Sequence, residues 1–194
     1  TLRVSGEVPQ FLVAVAIVEA DTQALFGALV EVLTGFGPCR LSVRTHPNRP
    51  QGDPALARAM ADMGPERAQI LPPDADLYDA IGASDALITI GSTVAFEAMA
   101  LGCQPIVFES DTTYGATSLA AFEDAVYVVR DAGGLRVALA ETSSGAPGAR
   151  QRRAQWPTSV RNMLGDLSTP LDVQLARAIT QLDHAAEAAL PRRH

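Results

Sequence analysis

The chain has 194 residues, enough for one domain with a sizeable core and short for two. Its formal charge of −7 excludes a nucleic-acid backbone as the natural partner, which needs a basic face, but leaves room for a nucleotide held by a local pocket of donors. Hydrophobic residues make up 47%, many of them Ala and Val, which excludes a disordered chain and fits α/β packing.

In chain order, Phe11 to Val18 is a near-continuous apolar run, as expected of a parallel strand covered on both faces. Asp21 then reads as the cap of a helix reaching about Leu33, closed by Gly35-Phe36-Gly37-Pro38. Arg40 to Thr45 alternates as a second strand, stopped by His46-Pro47. Asp53-Pro54 opens a helix with a cap and a proline at its first position, and Gly64-Pro65 ends it. Ala68 to Leu71 is a short third strand. Pro72-Pro73-Asp74 leads into an amphipathic helix with Leu77, Tyr78 and Ile81 on one side.

The next stretch, Ser84 to Gly102, organises the rest. Asp85 to Ile90 reads as a short buried strand bounded by Gly91, and a helix follows that ends at Gly102, where a left-handed glycine closes helices. Ser92 or Thr93 can cap that helix. A turn of this kind aims backbone N–H groups and hydroxyls away from the strand end, which suits an anion, above all a phosphate. Glu97 is the one charged side chain of the helix. It does not complete a capping box, since the place three residues after Ser92 is Ala95 and that after Thr93 is Phe96. About one turn deeper than the hydroxyls, it could accept hydrogen bonds from a ribose whose phosphate sits at the turn. The plainer alternative is a surface carboxylate or one paired with an Arg.

Pro105 to Phe108 is a fifth strand, with the proline at its first residue. Ala125 to Val129 is a sixth, followed by a helix near Gly134 to Ala140. Glu141 to Gly148 has linker composition. Two helices are expected after it, about Ala149 to Leu164 and Leu171 to Ala189, and then a basic end. Arg150, Arg152 and Arg153 read as a solvated helix face.

Alternation of strand and helix through six strands predicts a single doubly wound, Rossmann-like α/β domain over residues 1–194, its core at 11–140 and a C-terminal helical segment at 149–189. Right-handed crossovers permit the order 3-2-1-4-5-6 in a mainly parallel sheet, which reverses direction between strands 1 and 4. Gly91-Ser92-Thr93 follows strand 4 and His46 ends strand 2, so both fall on the carboxyl edge where such sheets bind ligands. Arg44 shares a face with His46, and proline holds His46 extended, so the pair could offer a fixed cation and a donor to a phosphate. Asp74-Ala75-Asp76 resembles a metal-holding acid pair but reads better as a helix cap, and Asp111 to Gly115 reads as a turn. No Gly-x-Gly-x-x-Gly follows strand 1, and the Ser92 turn lacks the nucleophile elbow.

Cys39 and Cys103, the only cysteines, would start strands about three positions apart, roughly 14 Å by strand spacing and beyond disulfide reach. Reduced thiols and a cytoplasmic location follow as the expectation, free or peripheral at the inner membrane face. His46, His184 and His194 are scattered, so no metal centre is expected. Phe11 to Val18 lacks the flanks of a signal peptide, and Gly91-Ser92-Thr93, Glu97 and Gly102 to Pro105 break the one stretch long enough to imitate a membrane span. The first residue is Thr1, from which a chain processed, cut or cloned from something longer is expected.

Arg44-Thr45-His46-Pro47, Ser84 to Thr89, Gly91 to Ala98 and Gly102 to Val107, in that order and spacing, resemble the carboxy-terminal half of a GT-B glycosyltransferase. The nearest pattern is that of the bacterial capsule and surface-polysaccharide group, which includes Kdo transferases and is related to CMP-sialic acid and CDP-glycerol transferases. The likeness covers roughly Phe11 to Val129, and Tyr114 with Ser118-Leu119 also suits it. It implies a donor nucleotide-sugar, CMP- or NDP-linked, with His46 at the phosphate or nucleotide, Gly91, Ser92 and Thr93 at the phosphate and Glu97 at the ribose. It also implies that no metal or other cofactor is needed. By the same resemblance the amino-terminal domain that binds acceptor and normally carries the base is expected to lie outside this chain, which leaves the catalytic residue unassigned. The chain would be part of a larger enzyme, or be completed by a partner, or bind without catalysing. A nucleotide-sugar epimerase on the same architecture is the competing enzyme class; it would want further acids and histidines in the cleft.

Overall fold

A computed structural model describes residues 8–15, 18–46, 48, 54–110, 122 and 124–164. The predicted second C-terminal helix, at about 171–189, the Asp53 cap, Pro47, the Asp111–Gly115 turn and Tyr114 with Ser118-Leu119 lie outside the described residues. The elements run β1 (Gln10–Ala14), α1 (Glu19–Thr34), β2 (Arg40–Arg44), α2 (Pro54–Met63), β3 (Ala68–Ile70), α3 (Leu77–Gly82), β4 (Ala86–Thr89), α4 (Val94–Ala100), β5 (Gln104–Phe108), β6 (Tyr127–Val129), α5 (Ala132–Ser144) and α6 (Pro147–Leu164). The six strands form one sheet in the order β3-β2-β1-β4-β5-β6, and every pairing is parallel. This is the predicted topology.

Period-two alternation divides the strand side chains between two helical layers. Phe11, Val13, Leu41, Val43, Ile88, Ile106 and Phe108 face one cluster with Leu25, Leu29 and Leu33 of α1, Leu56 of α2 and Leu135 and Leu139 of α5. On the other face, Leu12 and Leu87 meet Ile81 of α3 and Ala98 of α4, while Val107 meets Phe96 and Met99 of α4 and Trp156 and Val160 of α6. The central strands β4 and β5 are buried at every position, which explains their mainly apolar sequences, with Thr89 and Gln104 the buried polar residues at their ends. At the edge, β3 leaves Ile70 exposed.

Several boundaries differ from expectation. The first strand stops at Ala14, with one further ladder bond from Val15 N–H to the Arg44 carbonyl (3.1 Å), and α1 begins at Glu19. Val18 holds the cap position, so Asp21 is not the cap; it sits buried in the first turn and accepts from the Ser110 hydroxyl at 2.5 Å. The linker predicted at Glu141 to Gly148 is mostly helix. The hydroxyls of Thr142, Ser143 and Ser144 each donate to the carbonyl four residues back (2.7–2.8 Å), satisfying within a helix the side chains that suggested a loop. Gly145, at φ 61°, ends α5, and Ala146 N–H closes on the Glu141 carbonyl at 3.0 Å.

Of the basic run only Arg150 is exposed as expected. Arg152 Nη1 donates to the Val126 carbonyl (3.0 Å) with its guanidinium 4.4 Å from the Tyr127 ring centroid, and Arg153 lies 5.5 Å from the Trp156 ring. Trp156 Nε1 donates to the Ala125 carbonyl at 2.9 Å, so α6 is tied to the start of β6 and packs on α4. The arginine stems cover apolar surface there, as long basic side chains can.

Candidate functional site

The sheet reverses between β1 and β4, and a crevice of about 390 Å³ opens beyond their carboxyl ends. Arg44, Thr45 and His46 wall it from β2, Thr89, Gly91 and Ser92 from β4 and its turn. Ala14, Val15, Leu77 and Val94 supply its apolar surface. Four of the six residues singled out in the sequence, Arg44, His46, Gly91 and Ser92, therefore meet in one hollow. Thr93 and Glu97 do not line it. They sit one turn apart on the outer side of α4, Thr93 exposed and Glu97 half-buried, while Val94, Ala95, Phe96, Ala98 and Met99 turn to the core.

The turn after β4 has a definite chemistry. Gly91 adopts φ 58°, a left-handed conformation that favours glycine, and this reverses the chain directly into α4. Ser92 Oγ accepts from Val94 N–H at 3.3 Å, so its oxygen serves the helix start while its proton stays available to a ligand acceptor. Thr93 holds the formal cap position without a side-chain cap bond and is exposed. The helix has seven residues, so less dipole stands behind the turn than a long helix would supply. At its far end Gly102 (φ 84°) completes a Schellman closure, with Cys103 N–H on the Ala98 carbonyl (2.9 Å) and Gly102 N–H on the Met99 carbonyl (3.2 Å).

His46 is oriented by a neighbour that the sequence reading passed over. Asn48 N–H donates to His46 Nδ1 at 3.1 Å. A nitrogen that accepts carries no proton, so the neutral ring holds its hydrogen on Nε2, a donor suited to an anionic oxygen. Arg44 behaves differently from expectation. Its Nη1 is bonded to the carbonyls of Pro72 and Pro73, and its cation is partly occupied with the loop before α3. That loop is itself set by Asp76, whose Oδ1 accepts from Asp79 N–H at 2.9 Å, so the Asp74-Ala75-Asp76 run supplies a cap as predicted.

Glu97 makes no hydrogen bond or ion pair among the described residues. Its apolar neighbours in sequence are buried while it is half-buried, so it is not a carboxylate enclosed by the core. The sequence reading missed Thr45, Thr89 and Leu77 as crevice residues. Position at a strand's carboxyl end was the available signal for the two threonines; none marked Leu77. Cys39 and Cys103 are buried free thiols at the starts of their strands. Among the described residues no group of three or more His, Cys, Asp or Glu could hold a metal ion. No helix among them is long and apolar enough to cross a membrane.

The architecture is that of a Rossmann-like domain of the kind found as the carboxy-terminal half of glycosyltransferases. The C-terminal domain of a group 1 family glycosyltransferase (LpcC) from Francisella tularensis aligns with a TM-score of 0.59 and 14% identity, over 81% of this chain and 88% of that one. Spinosyn rhamnosyltransferase SpnG complexed with thymidine diphosphate aligns with a TM-score of 0.61 and 18% identity, over 89% of this chain and 45% of SpnG. A Listeria monocytogenes protein assigned as a UDP-N-acetylglucosamine 2-epimerase aligns with a TM-score of 0.57 and 19% identity, over 76% of this chain and 39% of that one. The chain thus spans less than half the length of the last two. No protein-family model matches it, and no curated protein matches its sequence. At these identities the likeness establishes the fold.

Proposed function

We propose that this chain is the donor-binding half of a GT-B glycosyltransferase, holding a nucleotide-sugar in the crevice between β1, β2 and β4. The observation that carries the proposal is the meeting of His46, Ser92 and Gly91 at the sheet's reversal point, in a fold shared with a glycosyltransferase C-terminal domain. The diphosphate or phosphate sits against the Gly91-Ser92 turn with the His46 Nε2–H as a further donor. Thr93, next along the turn, is a further phosphate donor, and the ribose reaches along α4 to Glu97. Fixed donors of this kind stabilise the charge that develops on a departing nucleotide, and each charge-assisted bond contributes about 1.5–3 kcal/mol. No metal or other cofactor is required in this scheme. The acceptor and the catalytic base come from an amino-terminal domain or a partner chain, consistent with the chain's spanning less than half of two longer neighbours. The order and spacing of the sequence motifs favour a role in surface or capsular polysaccharide synthesis with a CMP- or NDP-linked donor, in the cytoplasm or at the inner membrane face.

Calorimetric titration with CMP, CDP and UDP tests the proposal. At least one should bind, and His46→Ala and Ser92→Ala should each weaken it about tenfold or more. Absence of binding by all three, or affinities that ignore both substitutions, contradicts the assignment.

A further inference from the structure

A lone arginine at the end of a strand beside an anion-binding crevice invites assignment as a phosphate ligand, but the geometry of Arg44 gives it other work. Nη1 donates to the Pro72 carbonyl at 2.8 Å and to the Pro73 carbonyl at 2.7 Å. Both hydrogens of that nitrogen are used, and both on one loop. The loop leaves β3 through Leu71, whose N–H bonds the Val43 carbonyl at 2.9 Å, and turns as Ala75 N–H reaches the Pro72 carbonyl at 3.0 Å. It then enters α3 at Leu77, the residue that faces the crevice from this side. Prolines donate no N–H, so the Pro72-Pro73 segment cannot be held by its own amides. The Arg44 guanidinium supplies the sideways tie, joining the loop to the strand that carries Thr45 and His46.

We propose that Arg44 is a positioning residue. It staples the Pro72-Pro73 segment to the end of β2 and so fixes the Leu77 wall against which the nucleoside part of the ligand is seated. The charge at the phosphates is then answered by His46 and the Gly91-Ser92 turn. The proposal rests on the nucleotide reading of the crevice, and its test has one arm that does not.

The variant is Arg44→Met, which keeps the stem and removes the guanidinium. In the free protein, hydrogen exchange at the Ala75 and Asp79 amides should quicken by roughly tenfold, with the β4 and β5 amides unchanged as the control for folding. CDP affinity should fall about tenfold, while affinity for inorganic pyrophosphate and its salt dependence should stay within about twofold of the unaltered chain. Unchanged exchange at Ala75 and Asp79 overturns the staple. Equal losses for CDP and pyrophosphate, with a shallower salt dependence, overturn it in favour of direct phosphate contact. Failure of the unaltered chain to bind either ligand defeats the nucleotide reading and the seating role with it, while the exchange arm still decides whether Arg44 holds the loop.

Discussion

Glu97→Ala separates ribose recognition from phosphate recognition. Glu97 is half-buried on the outer side of α4 and has no protein partner among the described residues, so its removal strands no buried group. Alanine is also the better helix former, and the fold should change in stability by no more than about 0.5 kcal/mol. What is lost is the carboxylate's hold on ribose hydroxyls. Two bonds to a charged acceptor would contribute about 3–6 kcal/mol if fully sheltered, and an open site reduces that to about 1.5–3 kcal/mol. Calorimetry should therefore show CDP binding weakened about 10- to 100-fold, with pyrophosphate changed less than about twofold. A 2′-deoxy nucleotide completes a cycle: it should bind the unaltered chain more weakly than CDP, and the difference should largely vanish in Glu97→Ala. Equal losses for CDP and pyrophosphate, or no loss for either, would refute the ribose role.

Three further outcomes follow from the packing. Gly102→Ala should cost about 1–2 kcal/mol in denaturant titrations: a Cβ there meets no atom within 4 Å, so the penalty is the left-handed backbone (φ 84°) alone, and Gly102→Asn should cost less. Tyr127 is pushed up to about 12 from a usual 10.0, first by burial and then by its hydrogen bond and proximity to Glu141. The folded state keeps a proton that the unfolded state releases, so this stability is complete below pH 10 and is lost as pH rises toward 12; Tyr127→Phe should flatten the fall in melting temperature over that window. Burial, reinforced by the charge of Asp85, pushes the Cys103 thiol far up, so a thiol reagent at pH 8 should label it only on unfolding; rapid labelling of the native chain would contradict its placement.

The sheet was legible because its signals are local and redundant: apolar runs of strand length at Phe11, Ala86 and Pro105, the first two followed by helix punctuation, leave few topologies once crossover handedness is imposed. The Gly91-Ser92 turn and Gly102 were legible for the same reason, since positive φ selects glycine at both ends of α4. What escaped depends on contacts between distant segments. Nothing near Arg44 in sequence reveals that its partners are the carbonyls of Pro72 and Pro73. The hydroxyls of Thr142 to Ser144 resembled a linker because composition does not tell a helix's back-bonding serine from a loop serine. Arg152 and Arg153 resembled a solvated face because their stems and rings find α6's neighbours only after folding. Leu77 carried no polar signal, yet it walls the crevice.

A crystal structure of the chain with CDP or UDP bound bears most directly on the site. The phosphates should lie within hydrogen-bond distance of Ser92 Oγ and His46 Nε2, with the ribose turned toward Glu97. Density at the smaller hollow of about 240 Å³ on the opposite sheet edge, beside Arg40 and Arg67, with the His46–Ser92 crevice empty, would contradict it.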